Sequence, residues 1–288
     1  TDGGENGDWE DGDNWTGGSG DDGIPAAGDN VIISISSRDI ITNIDQTYNI
    51  ANLTIGPKFT GTIGTQALPL EVGTITGALN YGQKIGTTAI FCVLCATVNI
   101  ESTSTENPSL VITDNAGATN AAIVDINIFG GRGTVLLDQA TCTGTLTMVN
   151  AQSVTVEIGT GSDVSGLDVV MDDGRLLTYM VLEDITMTGG LLEYAVATGS
   201  CPSITMYDGT FKWKATGDNT IIALTMYGGF FDSRGATAYS MTLTDATLYE
   251  GAIFDERNGL KNTIYSNEII MNGGIFKLNP TRTLDIDP

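Results

Sequence analysis

A short unit recurs six times in the second half of the chain, and this repeat constrains the fold more than any other feature. In each copy an aliphatic–Thr–Met strand end runs into a tight Gly/Asp turn and restarts on a large apolar residue. The clearest copies are residues 185–192, 204–211 and 224–231, and looser copies surround Met171, Leu243 and Met271. A unit this short cannot bury its own apolar face, so neighbouring copies must stack on one another.

The repeat predicts an all-β fold, a β-solenoid. Steps between the Met/Leu positions are 16, 19, 20, 17 and 28 residues, and units of about 20 residues suit a three-sided coil with about 3.3 Å of rise per strand residue. Thr, Val and Ile alternate in short runs that Gly, Asp and Asn punctuate, as pleated strands and tight turns require. We expect a right-handed, single-stranded parallel β-helix of about twelve irregular rungs, with residues 175–183 in strand rather than helix.

Two lines of side chains are predicted to stack in the interior. The line before the turn is Met171, Met187, Met206, Met226, Leu243 and Met271. The line after the turn is Leu176, Leu192, Phe211, Phe231, Leu248 and Phe276. The step of 28 residues from Leu243 to Met271 predicts an extra loop within residues 255–267.

The first 30 residues differ from the rest because they are rich in Gly, Asp and Asn and contain Trp9 and Trp15. We expect an acidic arm or cap over residues 1–30 whose tryptophans plug the open end of the solenoid. The β-helix is predicted over residues 31–280, and residues 281–288, too short for another rung, form a tail. No signal-peptide pattern begins the chain, which leaves a complete N terminus and a trimmed precursor both open.

The pattern Trp…Asn-Trp…Pro…Gly-Asp-x-Val-x-Ile over residues 9–33 resembles the start of many right-handed β-helix proteins of phage particles and secreted adhesins. The resemblance covers some 30 residues. It implies a β-helix, and it points to structural roles on a particle or a cell surface.

Composition restricts the chemistry. The chain has 35 Asp and Glu against 12 Lys and Arg, a net charge of −23, so nucleic acid and anionic membranes are not expected as partners. It has no histidine, which removes His-based triads, His-ligated zinc and the commonest general base. Cys92, Cys95, Cys142 and Cys201 are expected to be buried thiols, because positions three apart on one strand point to opposite faces.

Three sets of side chains could carry chemistry, each beside a simpler explanation. Asp11, Asp13, Asp21 and Asp22 could surround Ca²⁺, although plain turns use the same residues. Carboxylates and aromatic rings could cleave sugar, or the same charges could form an ion-pair ladder; this set is Glu193, Lys212, Asp232, Tyr194 and Trp213. An outward ladder could bind a flat array such as ice, or reflect β-propensity alone; its members are Thr147, Thr186, Thr205, Thr225 and Thr242.

Without a catalytic or cofactor-binding set, we expect a non-enzymatic structural protein on a phage virion, most simply a capsid decoration (cement) protein. Its expected partners are two further copies of itself in a homotrimer and other virion proteins such as the major capsid protein. A tail spike that binds or cleaves host polysaccharide and a secreted adhesin fragment are the alternatives. Contacts are expected around Phe129, Phe254 or Tyr265.

Overall fold

A computed structural model describes residues 7–36, 38–84, 88–114, 121–234, 239–257 and 262–278. The fold is all-β, 2% helical, and its parallel strands coil into a β-solenoid of about 11 turns. The predicted parallel β-helix is confirmed, with a rung count close to the twelve expected. The helical residues are two 3₁₀ turns, Gly12–Asn14 and Asp21–Gly23. In the part of the chain described, no helix is long and apolar enough to span a bilayer. The predicted tail, residues 281–288, lies outside these ranges.

Twenty-two strands run in chain order as follows: β1 Asn30–Ser36, β2 Asn52–Phe59, β3 Leu70–Tyr81, β4 Ala89–Ile100, β5 Leu110–Thr113, β6 Ala122–Ile128, β7 Arg132–Asp138, β8 Thr141–Cys142, β9 Thr145–Met148, β10 Ser153–Ile158, β11 Asp168–Met171, β12 Arg175–Thr178, β13 Asp184–Met187, β14 Leu191–Tyr194, β15 Gly199–Met206, β16 Thr210–Trp213, β17 Asn219–Met226, β18 Phe230–Asp232, β19 Ser240–Tyr249, β20 Ile253–Asp255, β21 Asn262–Asn272 and β22 Ile275–Lys277.

Each later rung has three straight segments, which define three faces. Face A contains β9, β11, β13 and the C-terminal parts of β15, β17, β19 and β21. Face B contains β10, β12, β14, β16, β18, β20 and β22. Face C contains the N-terminal parts of β15, β17, β19 and β21. All of these pairings are parallel, so the backbone amides of one rung bond to the carbonyls of the next.

The turn between face A and face B depends on glycine. At the same point of successive rungs the φ angle is positive, a conformation that costs an L-residue about 1–2 kcal/mol; these glycines are Gly174, Gly190, Gly209, Gly229, Gly251 and Gly273. At Gly209, a Cβ atom would also lie 2.7 Å from the backbone of Gly189 in the rung below. The turns therefore stack as tightly as the strands do.

The interior line on face A follows the prediction up to Met226 and then departs from it. Met171, Met187, Met206 and Met226 lie in register on consecutive rungs. The next partner of Met226 is Leu248 and not Leu243, and Leu248 in turn pairs with Met271. Placing Leu243 in this line was wrong, because that side chain lies on face C opposite Ile221.

The interior line on face B shows the same slip. Leu176, Leu192, Phe211 and Phe231 are in register as predicted, whereas Phe254 occupies the place given to Leu248. Phe276 then pairs with Phe254. From Phe211 to Phe276 the rings are nearly parallel, with centroids 4.7–4.8 Å apart, so they bury each other's faces.

The corrected alignment removes the irregular steps. Met226 to Leu248 is 22 residues and Leu248 to Met271 is 23, so the extra loop predicted within residues 255–267 is not needed to explain the spacing. Met271 and Phe276 keep their register but are not enclosed, and Met271 is 44% exposed. They belong to the last described rung, which has no further rung stacked on it among the described residues.

At the opposite end the two tryptophans pack together. Trp9 is fully buried, and its ring meets that of Trp15 edge to face at 4.8 Å. The indole N–H of Trp9 donates to the hydroxyl of Tyr48 at 2.5 Å, and that of Trp15 donates to the carbonyl of Trp9. Asp29 accepts from the amides of Ser19 and Ala26, and these bonds lower the pKa of its carboxyl.

All four cysteines are free and buried. The expectation that Cys92 and Cys95 point to opposite faces was wrong, because β4 rounds a corner of the coil between them and both thiols lie inside. Burial raises the pKa of Cys142 and of Cys201 to about 12. These thiols therefore act as small apolar side chains.

Candidate interaction surface

The aspartates proposed for Ca²⁺ lie in the two 3₁₀ turns of the cap. Asp11 accepts a hydrogen bond from the amide of Asp13 and so caps the first turn, while Asp21 and Asp22 begin the second. The described residues contain no group of three or more metal-ligating side chains. The carboxylates have ordinary turn roles here, and Ca²⁺ binding stays a prediction without a geometric basis.

An open cavity of about 410 Å³ lies between the cap and the first strand. Trp15, Pro25, Asp29 and Val31 line it together with several glycines. The carboxylate of Asp29 is already engaged by two backbone amides. The cavity therefore offers few convergent polar groups to a ligand.

The aromatic platform suggested for sugar binding does not exist. Tyr194 and Trp213 are fully buried inside the solenoid, where their rings stack with centroids 5.1 Å apart. Both were placed beside a cleft because they follow charged residues on their strands. Strand alternation puts them on the inner side, and a sugar ring cannot reach them.

The charged set does come together, as one outward column on face B. Glu193, Lys212 and Asp232 are neighbours on consecutive rungs, and Asp255 and Lys277 continue the column. The salt bridges differ from the simple ladder, because Glu193 pairs with Arg175 and Lys214 rather than with Lys212. The arrangement is an ion-pair network of the kind weighed against catalysis.

The bases cover the carboxylates of this column. The side chain of Glu193 is only 4% exposed and that of Asp255 only 1%, whereas their partners are 34–49% exposed. Burial of Glu193 opposes its ionisation, but the bonds from Lys214 and Arg175 outweigh it and lower the pKa. Arg257 lowers the pKa of Asp255, and Arg234 that of Asp232, through bidentate hydrogen bonds. All three carboxylates are thus committed to ion pairs and are poor acids or bases for catalysis.

Beside the charges, face B carries an outward apolar strip. Leu191, Phe230, Ile253 and Ile275 share one column with Thr210, and Ile275 is 51% exposed. The guanidinium of Arg234 lies 5.2 Å from the centre of the Phe230 ring. Face B therefore combines cations with apolar side chains, a mixture typical of protein interfaces.

The threonine ladder lies on face A with one error and two interruptions. Thr186, Thr205 and Thr225 are in register, and the next member is Thr247, not the predicted Thr242. Thr242 lies on face C opposite Thr220. Thr147 is separated from Thr186 by Val170, and Ile270 follows Thr247. An array broken in this way favours β-propensity as the explanation.

In earlier rungs the same column is amide-rich. The side chains of Asn80, Asn99 and Asn127 form consecutive hydrogen bonds at 3.0 and 3.1 Å. They form a second run of amide bonds parallel to that of the backbone.

An exposed tyrosine ladder was missed from the sequence. Tyr207, Tyr227 and Tyr249 stack at the edge of face A with centroids 5.0 and 4.7 Å apart. Each directly follows the Met or Leu of its repeat, so the spacing was visible. Of the residues predicted to be exposed at a contact, Phe129 is exposed and Tyr265 is partly buried, but Phe254 is fully buried.

The surface chemistry is thus divided among the faces: bases and apolar side chains on face B, and hydroxyls, amides and carboxylates on face A. No protein-family model, curated protein or solved structure significantly matches the chain.

Proposed function

We propose that this protein is a non-enzymatic structural component exposed on a phage particle, and that it acts there as a capsid decoration protein. The observation that carries the proposal is the continuous stack of in-register rungs with a dry interior, together with charged side chains that pair with one another. Such a coil is a rigid spacer, because each strand is bonded to a neighbour on both sides.

Absence of histidine and the ion pairing of Glu193, Asp232 and Asp255 support a role that does not involve catalysis. The polysaccharide-cleaving spike loses its main support, because Tyr194 and Trp213 are interior residues. The acidic surface favours protein partners, such as copies of the chain in a homotrimer and a major capsid protein, over nucleic acid or membrane.

The test is localisation with an antibody raised against the purified chain. Lysates of the producing culture are fractionated on density gradients, and the chain is expected to co-sediment with icosahedral particles at many copies per particle. Particles stripped of the chain should bind it again in solution. Recovery only in the culture supernatant or the cell envelope, or loss of host polysaccharide on incubation with the chain, would contradict the proposal.

A further inference from the structure

Face B is a cationic surface on a strongly acidic chain. Six of the 12 Lys and Arg residues lie there, namely Arg175, Lys212, Lys214, Arg234, Arg257 and Lys277. The three carboxylates that they surround are nearly enclosed, so the exposed groups are mainly bases. A protein with net charge −23 has few other places to attract an anionic surface.

Face A provides the complementary charge. One outward column contains Asp168, Asp184, Asp245 and Glu268, with Ser203 and Ala223 between the second and third carboxylates. Asp184 and Glu268 are exposed. This column, like that of face B, advances by one rung, about 4.8 Å, at each step.

The two columns also agree in level along the axis. The rung that carries Asp168 on face A carries Arg175 on face B, since both flank Met171. In the same way Asp245 shares a rung with Arg257, and Glu268 shares one with Lys277. Two copies that lie side by side with parallel axes therefore bring acids and bases together at equal height.

We propose that face B is a docking surface for a second copy of this chain, whose acidic column on face A meets the bases of face B rung by rung. The apolar strip, with Phe230, Ile253 and Ile275, is buried in the same contact, and it supplies the apolar core that an interface needs. A contact between two different faces leaves one of each free, so the assembly closes into a ring or extends. The inference does not depend on a location on a particle.

Zero-length carbodiimide cross-linking tests the contact directly, because it joins lysine amines to carboxylates in an ion pair. Copies labelled with light and heavy nitrogen are mixed, so that links between copies are distinguished from links within one. We expect mixed-isotope links between Lys277 and Glu268. In sedimentation the assembly should weaken about tenfold as ionic strength rises to where surface charges are screened.

Charge reversal gives the second test. Glu268→Lys and Lys277→Glu should each weaken association about tenfold or more, and the double variant should restore most of it, since the pair is then inverted rather than lost. Asp163→Lys changes net charge as much as Glu268→Lys, but Asp163 is an exposed residue of a loop next to β8 and not on face A or face B. This control should associate normally, and thermal unfolding of every variant checks that the fold is intact.

A chain that stays monomeric at low ionic strength and high concentration overturns the proposal. So do mixed-isotope links that join face B lysines only to carboxylates outside the face A column. Failure of the double variant to recover, with both single variants folded, would overturn the level-by-level pairing. None of these outcomes bears on whether the chain belongs to a particle, which the antibody experiment addresses separately.

Discussion

At the outer surface of face B, Glu193 is nearly enclosed by the bases that it binds. Its carboxylate holds Arg175 and Lys214 from the two neighbouring rungs, so it links three rungs outside the core. Because both bases are partly exposed, solvent screening keeps the pair weaker than a fully buried one.

Glu193→Gln should lower the free energy of unfolding by about 1–3 kcal/mol at neutral pH, because the bases lose a charged acceptor. The folded pKa of Glu193 is lowered, so its contribution is present above the unfolded pKa of about 4.3 and is lost as pH falls through the folded pKa. Urea denaturation at pH 7 and near pH 3 measures both effects, and the difference from wild type should shrink at the lower pH. Glu157→Gln is the matched control, since Glu157 begins the same column without a salt bridge to any described residue. An equal loss in both variants would contradict this role for Glu193.

The cysteines give a second prediction at this scale. Burial raises the pKa of Cys95, Cys142 and Cys201, and the thiolate is the reactive form. A thiol reagent at pH 8 should therefore react with none of the four in the native chain and with all four in denaturant. Rapid labelling of any of them without denaturant would show that the interior opens locally.

Among the turns, the glycines between face A and face B provide a matched pair. A Cβ atom at Gly209 would meet the backbone of the rung below, whereas at Gly251 the nearest atom is 3.7 Å away; both have positive φ. Gly251→Ala should cost about 1–2 kcal/mol for the backbone conformation alone. Gly209→Ala should cost about 1–3 kcal/mol more from overpacking. Equilibrium urea unfolding measures both, and equal losses would show that stacking of the turns is loose.

The strands also show what the sequence could and could not predict. Three clear repeats fix the parallel stacking, because the Met and Phe positions recur with glycine at a constant offset. The slip at Leu243 and Leu248 arose because β19 runs over two faces and both leucines point inward. Gly251, three residues after Leu248, marks the turn and was the signal that distinguishes them.

On the charged side chains the sequence was informative only in part. Alternation already places Asp232 with Arg234 and Asp255 with Arg257 on one side of a strand. The pairing of Glu193 with Lys214 crosses rungs, and its choice over Lys212 depends on side-chain reach in three dimensions. The interior position of Trp213 follows from the same alternation that puts Phe211 inside.

Across the whole molecule, stability is a sum of rung-to-rung contacts, so it should vary along the axis. Middle rungs such as those of β15 and β17 have partners on both sides, and the last described rung has one. Hydrogen exchange followed by mass spectrometry should be slowest in β15 and β17 and faster in β21 and β22. Uniform protection would indicate that the coil unfolds as a single unit.

The in-register stacks have one more consequence, which concerns length. Since each layer meets the next through equivalent positions, excising residues 207–226, a span from one Met to the next, brings Met206 and Tyr227 together at a joint like those already present. The protein is in this sense a ruler graduated in single layers. Its reach can be shortened or extended by whole graduations, while the chemistry of each side is carried along unchanged.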